Sequence, residues 1–365
     1  MTDKLLELRN RIDALDSDIL MLLNERAKCA EEVAVSKQAS LKEGEKLCFY
    51  RPEREAHILN RMMEENSGPL KSKQITKIYR NIISSCLALE ECLHVAYLGP
   101  EGTFTQSAVN KHFGEWINTL PQGSIADVFQ EVDTGRAHYG VIPIENSTGG
   151  VITHTLDMFI NSSLNICGEV HLPIHQNLMS LHSEESSWKN TKRIYSHQQS
   201  LAQCKHWLAQ HLPHAEQIPV SSNAEAARMA SKDSDSSAIA GVAAAEIYKL
   251  EIQQRNIEDL ANNTTRFMII GNQHIPPSGA DKTSLMVSAK NEPGSLFNLL
   301  KPLAEHGLDM SRIESRPTQN NNWEYVFFLD INGHQDDQAV SKALKELEQH
   351  ANLLRILGSY PRAIA

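Results

Sequence analysis

The chain has 365 residues, of which 41% are hydrophobic and 22% charged, with a formal net charge of −10. That length exceeds what a single core holds, so about two or three domains are expected. The acidic balance argues against a nucleic-acid or anionic-membrane surface, and any anionic ligand must be held by local Arg and Lys. No stretch approaches the roughly 20 apolar residues of a membrane helix. The opening MTDKLLELRNRIDALD carries charges throughout and lacks the apolar core of a signal peptide. Cys29, Cys48, Cys86, Cys92, Cys167 and Cys204 form no C-x-x-C pair, which fits a reducing cytoplasm.

Residues 1–93 read as helix throughout. Leu5, Leu8, Ile12, Leu15, Ile19 and Leu22 alternate spacings of three and four, the seam of one long helix ending about Lys37, with Gly44 and Pro52 marking the break. A second helix begins near Glu53 and stops at Ser67-Gly68-Pro69; a third runs from Ile75 to Leu93. Three such helices make a poor globule alone, so a second chain is expected to complete them as a dimer. Arg26 stands where the seam calls for an apolar residue, and Lys37, three turns on, projects from the same side. Cys86 and Glu90 face together on the third helix, with Glu90 among Ile82, Ile83, Leu87 and Leu93; Arg54 and Glu55 open the second. Cations and carboxylates turned inward suit a small dianion, while exposed i, i+4 ion pairs would give the same pattern.

Residues 94–272 change texture. Short apolar runs (VAYLG, YGVIPI, LNICGEV, RIYSH, SAIAG, RFMII) alternate with helical stretches such as 124–134, 151–161, 198–211 and 242–249. The alternation predicts an α/β fold with a largely parallel sheet and room for two lobes with a cleft between them. Polar clusters sit where strands end. Glu145, Asn146, Ser147 and Thr148 follow VIPI; Ser196 and His197 follow RIY, with Gln203 on the next helix; Asn262, Asn263, Thr264, Thr265 and Arg266 precede FMII. Ligands of open α/β folds gather at such ends, although each cluster alone also serves as a helix cap. GPEG at 99–102 is neither G-x-G-x-x-G nor a P-loop, and no G-x-S-x-G occurs. His171 and His175 read as one extended face about 13 Å apart, with no Cys or carboxylate to close a site, so no metal is expected.

QHIPPSGADK at 273–282 reads as a linker. Beyond it come strand (TSLMVSAK), helix (SLFNLLKPLAEHG), strand (DMSRIESRP), turn (TQNNN), strand (WEYVFFLDI), helix (340–350) and strand (LLRILGSY). That order, βαββαβ, predicts a ferredoxin-like sandwich.

Taken in chain order, LRNRIDALDSDILMLLNERAKCAEEVAVSK and YRPEREAHIL, then GPEGTFTQSA, PIENSTGG, YSHQQSLAQC and TRF, then PGSL and ESRP give the chain a resemblance to a known family. It resembles the bifunctional P-proteins of bacteria, chorismate mutase–prephenate dehydratase with a C-terminal ACT regulatory domain. The resemblance implies a multidomain chain: an all-α helical, dimeric mutase over 1–93, and a two-lobed α/β dehydratase of periplasmic-binding-protein type over 94–272. The linker at 273–282 and a ferredoxin-like βαββαβ ACT domain over 283–365 would follow.

The implied function is two steps of phenylalanine biosynthesis in the cytoplasm, chorismate to prephenate and prephenate to phenylpyruvate, water and carbon dioxide. No cofactor, metal, nucleic acid or membrane is implied, and L-phenylalanine acts as allosteric inhibitor of a homodimer or higher assembly. The mutase reaction is pericyclic and needs only a clamp and charge stabilisation at the breaking ether oxygen. By resemblance Arg9, from the partner chain, Arg26 and Arg54 clamp the substrate; Lys37 donates to the ether oxygen, and Glu55 binds its hydroxyl. Arg51, Cys86 and Glu90 stand where enteric members have Asp, Ser and Gln. A Glu90 carboxyl donates only when protonated, so its pKa is expected to be raised by burial.

In the dehydratase, Thr265 would hydrogen-bond the leaving hydroxyl and Arg266 would anchor a carboxylate. Thr265 is too weak an acid to protonate that group alone, so the proton would come from Glu145 or a water. Asn146, Ser196 and Gln203 match binding positions. In the ACT domain Gly294, Ser295 and Leu296 would meet phenylalanine at a helix start, with Glu314, Ser315, Arg316 and Pro317 as the facing wall across a dimer interface. Two other readings fit parts of the pattern. One is a non-catalytic two-lobed sensor, against which the inward Arg26, Lys37 and Glu90 of a separate helical dimer count. The other is a mutase joined to a dehydrogenase, which would need a dinucleotide fingerprint.

Overall fold

The computed structural model describes residues 2–40, 50–181, 187–289, 292–317 and 325–364. Gly44, Cys48 and the expected turn at 318–322 lie outside the described residues. The chain divides into two compact units, Met1–Leu93 with Phe113–Asn118, and His94–His112 with Thr119–Ala365. Among the described residues no helix is long and apolar enough to cross a membrane.

The first unit holds α1 (Thr2–Ser40), α2 (Pro52–Glu65) and α3 (Ser72–Glu90). Pro52 opens α2, where its missing N–H costs nothing and its φ is already helical. The start of α3 is held by the Gln74 side chain, which accepts from the Lys71 N–H at 2.9 Å. Both α1 and α2 pack on α3. The seam of α1 is left open, with Leu5, Leu8, Ile12, Leu15, Ile19 and Leu22 between 49% and 58% exposed.

The second unit carries three sheets. The first runs β2 (Asn118–Gln122), β1 (His94–Leu98), β3 (Tyr139–Asn146), β11 (Thr264–Gly271), β5 (Asn165–Pro173), with β4 (Gly150–Val151) folded back on β3. The second runs β10 (Glu251–Gln254), β6 (Asn177–Ser180), β9 (Ser236–Ala240), β7 (Arg193–His197), β8 (Glu216–Val220). The chain leaves the first sheet after β5 and returns as β11, so it crosses between the lobes twice. Both sheets are mixed rather than largely parallel: β1 pairs parallel with β3, and β7 with β8 and β9, whereas β11 enters antiparallel to β3 and β5. A strand that returns from another lobe has no helical crossover to force a parallel direction.

Helices follow the strands: α4 (Phe104–Phe113), α5 (Ile125–Asp133), α6 (Thr153–Asn161), α7 (Gln198–Gln203), α8 (Lys205–His211), α9 (Asn223–Ala230) and α10 (Val242–Tyr248). The expected helix at 198–211 breaks at Cys204. Ser124 and Ser222 cap α5 and α9 by accepting from the N–H of Asp127 and Glu225.

The third sheet runs β13 (Met310–Pro317), β14 (Tyr325–Asn332), β12 (Asp281–Ala289), β15 (Ala351–Pro361). With α11 (Ser295–Glu305) and α12 (Gln338–His350) it gives the βαββαβ order. One face, through Leu285, Val287, Leu329 and Ile331, packs on Leu299, Leu303, Val340 and Leu347 of the two helices. The other face, through Met286, Val326, Phe328, Leu357 and Tyr360, shares a core with Ile142, Ile144, Ile166, Met268 and Ile270 of the first sheet. Each such fully buried side chain contributes about 1.5–3 kcal/mol, so sheet and lobe are joined by a core rather than a tether. The close approach requires Gly358, where a Cβ would lie 2.2 Å from the Ile166 carbonyl oxygen. The expected linker is fixed as well. Asp281 accepts from Ser278 and Gly279, Ile275 is 2% exposed, and Asp281 and Lys282 already belong to β12.

Candidate active sites

In the helical unit Lys37 Nζ lies 3.7 Å from Glu90 Oε2, with the two side chains 29% and 12% exposed. Burial pushes the Glu90 carboxyl above its ordinary value, against the pull of Lys37 and Arg26. Arg26 Nη1 donates to the Ile82 carbonyl at 3.5 Å, and Cys86 is buried one turn before Glu90. Glu55 is buried, and Arg80 donates to it at 3.1 Å. Burial raises its pKa despite Arg80 and Tyr50. Arg80 drew no attention in the sequence because a lone Arg on a helix reads as a solvated surface residue. Arg54 and Arg9 are exposed, the latter on the open side of α1. Arg51 pairs with Glu53 at the start of α2.

In the second unit a cleft of about 810 Å³ opens between the two lobes. It is lined on one side by Phe104, Pro143, Asn146, Thr265 and Phe267 and on the other by His197, Gln199, Ser200, Gln203 and Asn223. Its polar wall is a closed network whose directions are fixed from one end. Asn146 Oδ1 accepts from the N–H of Gly149 at 2.7 Å, the N–H of Thr148 at 3.1 Å and the Thr148 hydroxyl at 2.8 Å. A backbone N–H can only donate, so Asn146 Nδ2 must be the other end, donating to Thr265 Oγ1 and Asn263 Oδ1, each at 2.8 Å. Thr265 therefore accepts on its oxygen and keeps its own proton to donate. Asn263 Nδ2 donates to Gln203 Oε1, which also accepts from Gln176, while Gln203 Nε2 donates to Thr148 Oγ1. Among the described residues lining the cleft none is Arg or Lys; Glu101, His197 and Tyr248 are the titratable ones.

Three expected residues are not brought to the cleft. Side chains alternate along β11, so Thr265 and Phe267 face the cleft while Arg266, Met268 and Ile270 face the third sheet. Arg266 is thus no part of the cleft lining. It donates to Glu169 Oε2 at 2.8 Å and to Asp330, deep in a buried cluster with Lys282 and Tyr360. Burial alone would raise the Glu169 carboxyl, but His171, Arg266 and Lys282 hold it well below the usual carboxylate range. Two cations face two carboxylates there, and removing one partner of such a group costs about 3–5 kcal/mol. Glu145 also points away from the cleft. The register of β3 against β11 shifts at Ile144, so Ile144 and Glu145 both turn toward the third sheet. Ser196 is fully buried beneath the wall, where it donates to the Ile239 carbonyl at 2.8 Å beside Asn223. Asn223 in turn accepts from the N–H of His197 and donates to Ser200.

At the third sheet, Gly294 (φ +81°) turns the chain into α11, a left-handed conformation open to glycine. Leu296 and Ser315 are exposed. The expected wall divides across β13, an edge strand: Ser315 pairs with Phe327 on the helix side, while Arg316 donates to both Asp157 oxygens at 2.8 Å on the side of the first sheet. Glu314, two residues before Arg316, shares that side.

Three family models match along the chain: "Chorismate mutase type II" over residues 8–91, "Prephenate dehydratase" over 95–275 and "ACT domain" over 283–349. A bifunctional chorismate mutase/prephenate dehydratase of Pseudomonas aeruginosa is 50% identical over 362 residues, 99% of each chain. Its counterpart of Aquifex aeolicus is 43% identical, again over 99% of each. The crystal structure of a prephenate dehydratase from Arthrobacter aurescens in complex with L-Phe is 34% identical with a TM-score of 0.69, covering 74% of this chain and 90% of that one. With three domain matches in order and half of all residues shared along the full length, the chain belongs to the bifunctional chorismate mutase/prephenate dehydratase family.

Proposed function

We infer that the helical unit converts chorismate to prephenate, and that the cleft converts prephenate to phenylpyruvate with loss of water and carbon dioxide. The observation that carries the second step is the fixed orientation of Asn146, which leaves the Thr265 proton available to the cleft. As the ring C–O bond breaks, electrons from the departing carboxylate complete the aromatic ring, negative charge grows on the leaving oxygen, and that oxygen takes a proton from solvent to depart as water. A hydroxyl already aimed at that oxygen stabilises the transition state more than the ground state. A lining of amides and hydroxyls also suits a carboxylate that must leave as neutral carbon dioxide. A cation clamped to it would hold the ground state more firmly than the transition state. Asn146, Gln203 and Thr265 are the substrate contacts in this reading, with Asn263, Asn223 and Ser196 behind them.

In the mutase, Arg26, Arg54 and a second copy's Arg9 would clamp the dianion. Lys37 and protonated Glu90 would donate to the ether oxygen, Glu55 would take the hydroxyl, and Cys86 would close the wall. The exposed seam of α1 supports a homodimer. Replacing Ile12 by Glu should therefore give a monomer by sedimentation, with mutase activity down by about 10² or more as the clamp loses an arginine. Dehydratase activity should persist; a dimer with full mutase activity would contradict this reading.

L-Phenylalanine would bind at Gly294, Ser295 and Leu296 against the Ser315 side of β13, whose free edge can pair with a second copy. A β-branched residue at φ +81° is strained by about 1–3 kcal/mol. Gly294→Val should thus retain both activities and raise the phenylalanine concentration for half-inhibition by about tenfold or more. A cytoplasmic location fits this reading, since substrates and product are soluble metabolites.

The deciding assay supplies chorismate alone, without cofactor, and measures phenylpyruvate with and without phenylalanine. Prephenate as end product would leave only the mutase, and no turnover would favour a non-catalytic sensor.

A further inference from the structure

Thr265 on β11 and Asn146 on β3 are cross-strand partners facing the cleft. The adjacent pair, Arg266 and Glu145, is also cross-strand and faces the sensor sheet. There it meets a third cross-strand pair, Asp330 on β14 and Arg312 on β13. The charges are crossed, so each dehydratase residue meets its opposite. Arg266 Nη1 donates to Asp330 Oδ2 at 2.5 Å, and Arg312 Nε lies 3.3 Å from Glu145 Oε2.

The two legs of this quartet differ. The first is locked: Ser284 donates to Asp330 at 2.6 Å, Arg266 donates to the Tyr360 hydroxyl at 3.3 Å, and Ser284 and Tyr360 share a bond of 2.7 Å. The second is loose. Glu145 is 40% exposed, and the 9%-exposed Arg312 has no hydrogen bond from Nε or Nη2 among the described residues. A buried guanidinium left short of partners would gain free energy from a shift that supplied them, which is what a movable leg requires. Arg312 also rides on β13, the edge strand whose other face carries Ser315.

We propose that this quartet is the linkage through which the sensor sheet sets the geometry of the dehydratase site. Arg266 and Glu145 are positioning residues acting through Thr265 and Asn146, not substrate contacts. The inference rests on the dehydratase reading above. The locked leg holds β11 against the sensor, while a displacement of β13 draws Glu145 through Arg312. Asn146 follows its neighbour, and its donation to Thr265 stretches. A shear of one strand past the other is enough, because a hydrogen bond of 2.8 Å weakens steeply with distance and angle.

Steady-state kinetics on prephenate, with and without phenylalanine, test this in the full-length enzyme. Arg312→Glu and Glu145→Arg should each raise the half-inhibiting phenylalanine concentration by about tenfold, and the double swap should recover it to within about threefold. Asp330→Asn should lower kcat by about tenfold with KM within twofold, and Tyr360→Phe, the milder change, by about threefold. Arg266→Lys combined with Asp330→Asn should be no worse than the stronger single change.

Single swaps that keep wild-type inhibition, or a double swap that recovers none, overturn the linkage. So does an Arg266→Lys variant with raised KM and unchanged kcat while Asp330→Asn is silent, which is the behaviour of a substrate anchor. Variants that lose only melting temperature, with kcat and inhibition intact, make the quartet a plain structural bridge. A wild-type chain inert toward prephenate removes the dehydratase reading itself; an active, inhibited wild type with unresponsive variants removes the linkage alone.

Discussion

Thr265→Ala is expected to lower dehydratase kcat by about 10²–10³, the usual cost of deleting one preorganised donor at a developing oxyanion. The cause is specific. Asn146 donates to the Thr265 oxygen at 2.8 Å, so the threonine proton has no competing acceptor in that pair and is aimed outward. Ala removes the donor and leaves an Asn146 hydrogen unmatched. Thr265→Ser should keep most of the rate, because the hydroxyl survives, while Thr265→Val should behave like Ala although it fills the same volume. KM should move far less than kcat, since the bond strengthens as charge builds on the leaving oxygen. Mutase activity in the same chain should stay at the wild-type level. If both activities fell together, or if Val matched wild type, the hydroxyl would not be the group that matters.

Glu90→Gln is expected to flatten the pH–rate profile of the mutase. Burial raises the Glu90 carboxyl, and Lys37 and Arg26 only partly counter it. A carboxyl donates to an ether oxygen only while protonated. The wild-type rate should therefore be highest on the acid side and fall about tenfold per pH unit above the raised pKa. Gln donates at every pH, so the variant should lose little across that range and should exceed the wild type at its alkaline end.

The sign for stability agrees. A folded-state pKa above the ordinary value of 4.5 gives stability that is complete below 4.5 and lost as pH rises through the folded value. Glu90→Gln should thus melt higher than the wild type at alkaline pH and not at acid pH. An unchanged profile with an unchanged melting curve would mean that Glu90 neither donates nor resists ionisation.

Much of this architecture is legible in the residues, for local reasons. The three-and-four spacing from Leu5 to Leu22 specifies a long helix, and its exposure in a single chain follows from the same seam. The βαββαβ order from Asp281 onward is written in period-two and period-3.6 runs. Thr265 and Arg266 show where such reading fails. The polar run before FMII reads as one cluster at a strand end, and a cluster there lets neighbours share a pocket. The strand begins at Thr264 instead, and strand alternation then sends Thr265 to the cleft and Arg266 to the sensor sheet. Glu145 is displaced by a register shift that no local pattern announces.

Gln176 and Asn223 stayed hidden for another reason, and Asn263 stood out only as one member of a polar cluster. Each is one polar residue among many until the chain returns, and Asn146 meets Asn263 across 117 positions. That Asn263 is only 3% exposed within a polar run is visible in coordinates alone.

The contact of Gly358 with the Ile166 carbonyl bears on how such enzymes can be rebuilt. A regulatory module seated this closely is not an interchangeable cartridge. A ligand-sensing domain transplanted from another protein would have to bring a bare backbone to that spot, or it would stand off and strip the cover from β11. Changes of effector should therefore accumulate within the resident module, at its solvent-facing rim, sooner than by wholesale exchange.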